Sequence, residues 1–172
     1  MYWTKKHVLV CTAAHCAGKG ANDVAGRLRL EVIRRGLDTE ILVNNCGTID
    51  LCDIGPNLVV YPDNVIYRGV TVKDIPDVVA HLRGGPVVER LLLAENTAEE
   101  SARRAFYAAA LTSSAPLPAE DFSALATAHG FDDAWVAEQQ KRGFIARKPE
   151  VDGTGDAITV TKKSLARYGL LG

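Results

Sequence analysis

The chain has 172 residues, 47% of them apolar and 24% charged, with a formal net charge of −1, which suits one well-filled core or two small ones. Four cysteines are too few for a secreted disulfide scaffold, and no apolar stretch approaches the length of a membrane span. The start, Met1 to His7, is followed by too few apolar residues before Cys11 for a signal-peptide core, so a cytoplasmic location without membrane insertion is expected.

His7-Val8-Leu9-Val10 is a short, largely branched run that reads as a buried strand delivering Cys11 at its end. Thr12 to Gly20 reads as a loop of small residues around Cys16, in which the backbone can approach a bound centre and offer N–H groups to sulfur. Asn22 or Asp23 is the expected cap of a helix. Val24, Leu28, Val32 and Ile33 supply its inward stripe, Arg27, Arg29, Glu31, Arg34 and Arg35 lie outside, and Gly36 ends it.

Glu40 to Asn45 is a second strand, parallel to the first because a helix connects them, and it delivers Cys46. Both cysteine pairs, Cys11 with Cys16 and Cys46 with Cys52, then fall at the carboxyl edge of one parallel strand pair, where open α/β sheets place their sites. Leu58–Tyr61 and Val65–Tyr67 read as an antiparallel hairpin, and Asp74 to Leu82 as a short helix stopped by Gly84-Gly85-Pro86. Val87 to Ala94 closes this region with an element of unassigned type.

Four thiols in two close pairs can ligate an iron–sulfur cluster or a single zinc ion, and two disulfides are the third alternative. Disulfides need an oxidising compartment, which the sequence does not indicate. Thiol–disulfide exchange is disfavoured by the absence of Cys-x-x-Cys. Gly18-Lys19-Gly20 is too short for a phosphate loop, and no acid–base pair stands out, so an enzyme is not expected.

The order β-α-β-β-β-α is that of a thioredoxin-like domain. Specific residues extend the likeness: Val10-Cys11-x4-Cys16, a Cys pair followed by Gly55-Pro56, Leu58-Val59-Val60-Tyr61-Pro62-Asp63 with Val65 and Tyr67, the Asp74 helix start, and His81-Leu82 before Gly84-Gly85. Together they resemble the thioredoxin-like [2Fe-2S] ferredoxins, relatives of the small iron–sulfur subunit of NADH:quinone oxidoreductases, over roughly residues 7 to 94.

The resemblance implies a single [2Fe-2S] cluster, one-electron transfer, a redox protein or oxidoreductase complex as partner, and often a homodimer. Carried over by position, Cys11 and Cys16 are the first ligand pair and Cys52 the last. The family's Cys-x3-Cys spacing would put the third ligand at position 48, where this chain has Thr48; Cys46, two residues earlier, is the remaining thiol and the expected ligand, with Gly47 and Thr48 supplying the bend. His15 is a rival ligand of lower rank, and Thr48, Asn44 and Asn45 are possible donors to sulfur. Tyr61 and Tyr67 read as core or dimer aromatics, and Lys19, Arg27, Arg29, Arg34 and Arg35 as a solvated face that can also dock an acidic partner.

A second region runs from about Asn96. Ala98 to Leu111 is an Ala-rich helix, assigned with its successor residues to a helix and linker over 96–118, and Thr112 to Pro118 is a break. Glu120–His129 and Asp132–Arg142 are helices, Phe144–Lys148 and Ala157–Thr161 strands around a polar Gly/Asp turn, and Lys162–Tyr168 a final helix. Helix, turn, helix, hairpin resembles a winged-helix domain over 119–172. From Asp132 to Arg167 seven basic residues meet six acidic ones, and Asp132, Asp133 and Glu138 sit on the helix that would read a groove. DNA is therefore less favoured than a protein partner, although Arg147, Lys148, Lys162 and Lys163 offer a wing-side contact.

The reading is an α/β electron carrier: a thioredoxin-like [2Fe-2S] ferredoxin domain over 1–95, and a small winged-helix-like α+β domain that selects the redox partner. A cluster-sensing DNA-binding regulator and a structural zinc module are the alternatives.

Overall fold

In a computed structural model the chain is described over residues 3–94, 97–112, 116–149 and 155–172, and it divides into two units, Met1–Leu93 and Ala94–Gly172. In the first, β1 (Lys6–Cys11) lies parallel to β2 (Ile41–Cys46) in a register that sets Cys11 opposite Cys46. β1 also pairs antiparallel with β3 (Leu58–Tyr61), which turns back into β4 (Val65–Tyr67), giving the order β2-β1-β3-β4. Val8, Val10, Leu58 and Val60 are wholly buried, and each such side chain contributes about 1.5–3 kcal/mol by leaving water.

Two longer helices and a single helical turn accompany this sheet. α1 (Ala14–Ala17) is a single turn, and α2 (Ala21–Arg34) buries Val24, Ala25, Leu28 and Val32 as its inward stripe. α3 (Ile75–Leu82) buries Ile75, Val78, Val79 and Leu82. The reciprocal box of Thr71 and Asp74, with the Asp74 carboxylate accepting from Thr71 N at 2.8 Å and Thr71 Oγ1 at 2.7 Å, starts a 3-10 turn that leads into α3. Val87 to Ala94 resolves into a 3-10 turn at Glu89–Leu91 and an antiparallel bridge between Leu92 and Tyr67.

Three local expectations are corrected. The Thr12–Gly20 stretch is not loop throughout, because Ala14–Ala17 closes a helical turn with Gly18 N donating to Ala14 O at 2.9 Å. α2 begins at Ala21, after Gly20 in the left-handed conformation (φ 88°), with no side-chain cap from Asn22 or Asp23; Asp23 instead lies inside the first turn, where its charge suits the helix dipole. Ile33 is 58% exposed rather than inward, since nine residues from Val24 is two and a half turns of helix.

A chain of polar contacts runs from the core of this unit to its surface. Tyr67 Oη lies 2.8 Å from His81 Nδ1 and accepts from Val88 N at 3.1 Å, while His81 Nε2 lies 3.1 Å from Asp63 Oδ2, which Lys6 Nζ also contacts. With Nε2 carrying its proton and Nδ1 accepting from Tyr67, a neutral His81 satisfies both neighbours. Burial, with the Lys6 charge, holds His81 below the ordinary histidine range, Asp63 acting in the opposite sense.

The second unit comprises α4 (Ala98–Thr112), β5 (Leu117–Pro118), α5 (Ala119–Ala128), α6 (Asp133–Lys141), β6 (Ile145–Pro149), β7 (Asp156–Val160) and α7 (Lys162–Arg167). Its antiparallel sheet has the order β5-β7-β6. β5 occupies the stretch expected to be a plain break; residues 113–115 of that break, and 150–154 of the β6–β7 turn, lie outside the described residues. Phe106 is the hub of the core: Tyr107, Phe122, Phe131 and Trp135 set their rings edge-on to it at centroid distances of 5.1 to 5.8 Å. Since Phe106, Tyr107 and Ala110 are buried in that core, α4 belongs to the second unit rather than to a linker. Glu100 accepts from Arg103 at 2.8 Å and from Arg167 at 3.0 Å, tying α4 to α7.

Candidate metal centre

The chain's apolar pattern puts β1 and β2 side by side, and their parallel register brings their last residues, Cys11 and Cys46, together. α1, beginning three residues after β1, turns Cys16 inward. Cys52 opens a 3-10 turn (Cys52–Ile54) that Gly55 ends, so three backbone devices deliver the sulfurs.

Cys11, Cys16 and Cys52 are buried, and their sulfurs lie within 4.8 Å of one another; Cys11 and Cys52 Sγ are 3.9 Å apart. All four cysteines are free thiols, so the structure carries no disulfide between them. Together with Ala21 the three form a small apolar cluster, against which Ala13, Ile49 and the half-buried Cys46 pack. The structure thus brings together three of the four sulfurs named from the sequence and leaves Cys46 beside them, outside the three-sulfur group. His15, although next to Cys16, does not join that group.

The surroundings favour negative charge at one sulfur. Burial works against ionisation of Cys11, but backbone N–H groups of Ala13 and Ile49, with the Cys16 and Cys52 side chains, more than offset it and lower its pKa. Burial raises Cys16, and the neighbouring Cys11 and Cys52 raise it further. Cys46 is raised by burial first and then by the same two neighbours. Protein dipoles therefore favour a thiolate at Cys11, while burial and the neighbouring thiols disfavour one at Cys16 and at Cys46.

Several residues that hold this geometry were not singled out for it from the sequence. Asn57, wholly buried, donates from Nδ2 to Leu51 O at 2.6 Å, and its own carbonyl accepts from Cys11 N at 3.0 Å, so it joins the Cys52 turn to the end of β1. A Cβ at Gly55 would lie 2.5 Å from Cys16 Sγ, which makes this glycine a requirement of space as well as a stop. Lys19 Nζ donates to Cys52 O at 3.2 Å and to Asp53 O at 2.7 Å. An Asn after a Gly-Pro stop, or a Lys between two glycines, carries no local signature of such a role.

The remaining sequence candidates fall as follows. Thr48 Oγ1 lies 3.9 Å from Cys52 Sγ and accepts from Asp50 N at 2.9 Å, so it both caps its own loop and reaches sulfur. Asn44 and Asn45 point elsewhere: Asn44 Nδ2 lies 3.3 Å from His7 Nε2, and Asn45 accepts from Arg29. Arg29 also donates to Val43 O at 3.1 Å, and Arg27 and Arg35 flank Glu31 at 3.9 and 2.7 Å, so those cations serve α2 and β2. Tyr67 is core, while Tyr61 is 47% exposed.

The donor set is chemically suited to a soft metal centre: sulfur ligands, a mostly buried floor, N–H donors to one sulfur, and a glycine where a side chain would intrude. No protein-family model matches the chain. It is 35% identical over 96 residues to a [2Fe-2S] ferredoxin of Clostridium pasteurianum, covering 51% of this chain and 94% of that protein. It is 32% identical over 100 residues to a [2Fe-2S] ferredoxin of Aquifex aeolicus, covering 52% and 90%. The crystal structure of the wild-type thioredoxin-like [2Fe-2S] ferredoxin from Aquifex aeolicus superposes with a TM-score of 0.50 at 32% identity, covering 53% of this chain and 98% of the other. These matches have the length of one of the two units.

Proposed function

The chain belongs to the thioredoxin-like [2Fe-2S] ferredoxin family, and we propose that it holds a [2Fe-2S] cluster on Cys11, Cys16, Cys46 and Cys52, exchanges single electrons with a redox protein, and selects that protein through its second unit. The observation that carries the reading is the set of three buried sulfurs within 4.8 Å of one another at the end of a parallel strand pair, with Cys46 packed beside them. Zinc suits a square of thiols too, but relatives named as [2Fe-2S] ferredoxins favour iron and sulfide.

A [2Fe-2S] centre bound there supplies reversible one-electron transfer. The chain's own residues do the rest. The N–H groups of Ala13 and Ile49 stabilise charge on the Cys11 sulfur, and Ala21 and Ile49 restrict water. Binding a cation at this site releases the protons that Cys16 and Cys46 otherwise hold. Cys46, half-buried, is the edge nearest solvent and so the side from which a partner is reached. The second unit, with its own aromatic core, supplies surface that the shorter ferredoxins lack, which supports a role in choosing the partner.

The test is metal and sulfide analysis with absorption spectroscopy of protein purified without air, beside Cys46→Ser. The expected result is about two irons and about two sulfides per chain in the parent, with an altered spectrum and lower content in the variant. A colourless parent holding zinc would overturn the redox assignment, and an unaltered cluster in Cys46→Ser would remove Cys46 from the ligand set.

A further inference from the structure

We infer that Lys19 is a positioning residue for the centre, bracing the Cys52 turn and placing a fixed positive charge that raises the reduction potential; this rests on the cluster reading above. The brace has three arms. Lys19 N donates to Cys16 O at 3.0 Å, while Nζ donates to Cys52 O at 3.2 Å and to Asp53 O at 2.7 Å. One residue therefore links the helical turn that carries Cys16 to the 3-10 turn that carries Cys52, two ligands separated by 35 residues of chain.

The carbonyls concerned explain why a cation is used. The backbone bond to Cys52 O, from Gly55 N, is long at 3.4 Å, and a 3-10 turn this short leaves its carbonyls poorly satisfied by the backbone alone. An ammonium donates to two of them at once with charge-assisted bonds, as a neutral side chain of that length would not. The α1–α2 turn is built to aim it, because Gly20 takes the left-handed conformation directly after Lys19.

The electrostatic consequence has a definite sign. Reduction adds one negative charge at the sulfurs, and a fixed cation beside the backbone of a ligand stabilises that charge more than it stabilises the oxidised state. Lys19 is exposed, so solvent and salt screen the effect without abolishing it. A unit charge about 10 Å away, at effective dielectric constants from that of water to that of a protein surface, changes the reduced-to-oxidised ratio by about twofold to about sixteenfold. A tenfold change corresponds to about 59 mV for a one-electron couple.

The experiment compares parent, Lys19→Met and Lys19→Arg by redox titration at low and high salt, and by the rate at which a chelator removes iron. In Lys19→Met the midpoint should move to lower potential within that range, the difference shrinking at high salt, and iron loss should quicken severalfold. Lys19→Arg should restore the potential through its charge. Loss of colour in the Met variant with retention in the Arg variant supports the brace. Parental potentials and iron-loss rates in both variants would overturn the inference while leaving the cluster reading intact; a parent without iron and sulfide would overturn that reading first. Loss of the helical circular-dichroism signal in either variant would assign Lys19 to the fold and overturn the inference as well.

Discussion

Replacing Gly55 with alanine sets the demands of the fold against those of the site. Gly55 has φ −73° and ψ 171°, a conformation open to any L residue, so the substitution carries no backbone strain of its own. The added Cβ would lie 2.5 Å from Cys16 Sγ, 3.3 Å from Asn57 Nδ2 and 3.5 Å from Cys52 O. Ordinary contact begins at 3.4 Å, so the sulfur and the turn must part by about 0.9 Å. Overpacking of this kind costs about 1–3 kcal/mol of stability, which a domain of this size survives. A sulfur ligand, by contrast, is placed to within about 0.2 Å, so the same displacement is several times the tolerance of the centre.

Gly55→Ala should therefore fold and fail to hold a normal cluster. Iron and sulfide per chain are expected to fall below about half of the parent's, while apo-protein stability drops by only about 1–3 kcal/mol in denaturant unfolding. Gly85→Ala is the control: its Cβ would lie 2.8 Å from Ala80 O and 3.2 Å from Ala80 C, with no cysteine among its neighbours. It should cost comparable stability and retain the cluster. A Gly55→Ala protein with the parent's iron, sulfide and spectrum would refute the argument that this glycine makes room for Cys16.

Two other predictions use groups away from the sulfurs. His81 has its pKa lowered in the folded state, so between the unfolded value near about 6.5 and the lower folded value the unfolded chain binds more protons, and stability falls as pH falls, by up to about 1.4 kcal/mol per pH unit. His81→Gln should flatten that dependence in urea unfolding between pH 7 and pH 5, although Asp63, Lys6 and Tyr67 still face the position; an unchanged slope would remove His81 as its source. Phe106→Ala empties the hub of the aromatic core and should cost the second unit about 3–5 kcal/mol, read by denaturant unfolding, and a loss under about 1 kcal/mol would contradict its place there.

What the sequence disclosed followed from local pattern. Branched apolar runs announced β1, β2 and the hairpin, the 24–28–32 spacing announced the face of α2, and the paired cysteines pointed to the end of the parallel strands, where three of the four sulfurs gather. What it hid depended on contacts between distant residues or on backbone signs that no composition reveals. A single helical turn at Ala14–Ala17 looks like a small-residue loop, because its stability comes from docking beside Cys52 rather than from helix propensity. The place of α4 was not legible because its stripe of Phe106, Tyr107 and Ala110 finds its partners on elements later in the chain, among them Phe122 of α5 and Val136 of α6. Lys19, Gly55 and Asn57 act through partners from 2 to 46 positions away in the chain, and the Tyr67–His81–Asp63 chain joins a hairpin to a helix in the same manner.

The main core of the first unit is built of Val8, Val10, Leu28, Leu58, Val60 and their neighbours, and it contains none of the four cysteines: Cys11, Cys16 and Cys52 occupy a small apolar cluster of their own, with Cys46 packed against it. A zinc finger, whose metal substitutes for a core, has no shape until it is loaded. Here the sheet and its helices pack on a core that the four sulfurs do not enter, so the cohesion of the unit comes from apolar packing and is expected to be independent of any metal. Withholding iron is accordingly expected to change the colour of the preparation and to leave its far-ultraviolet circular dichroism in place.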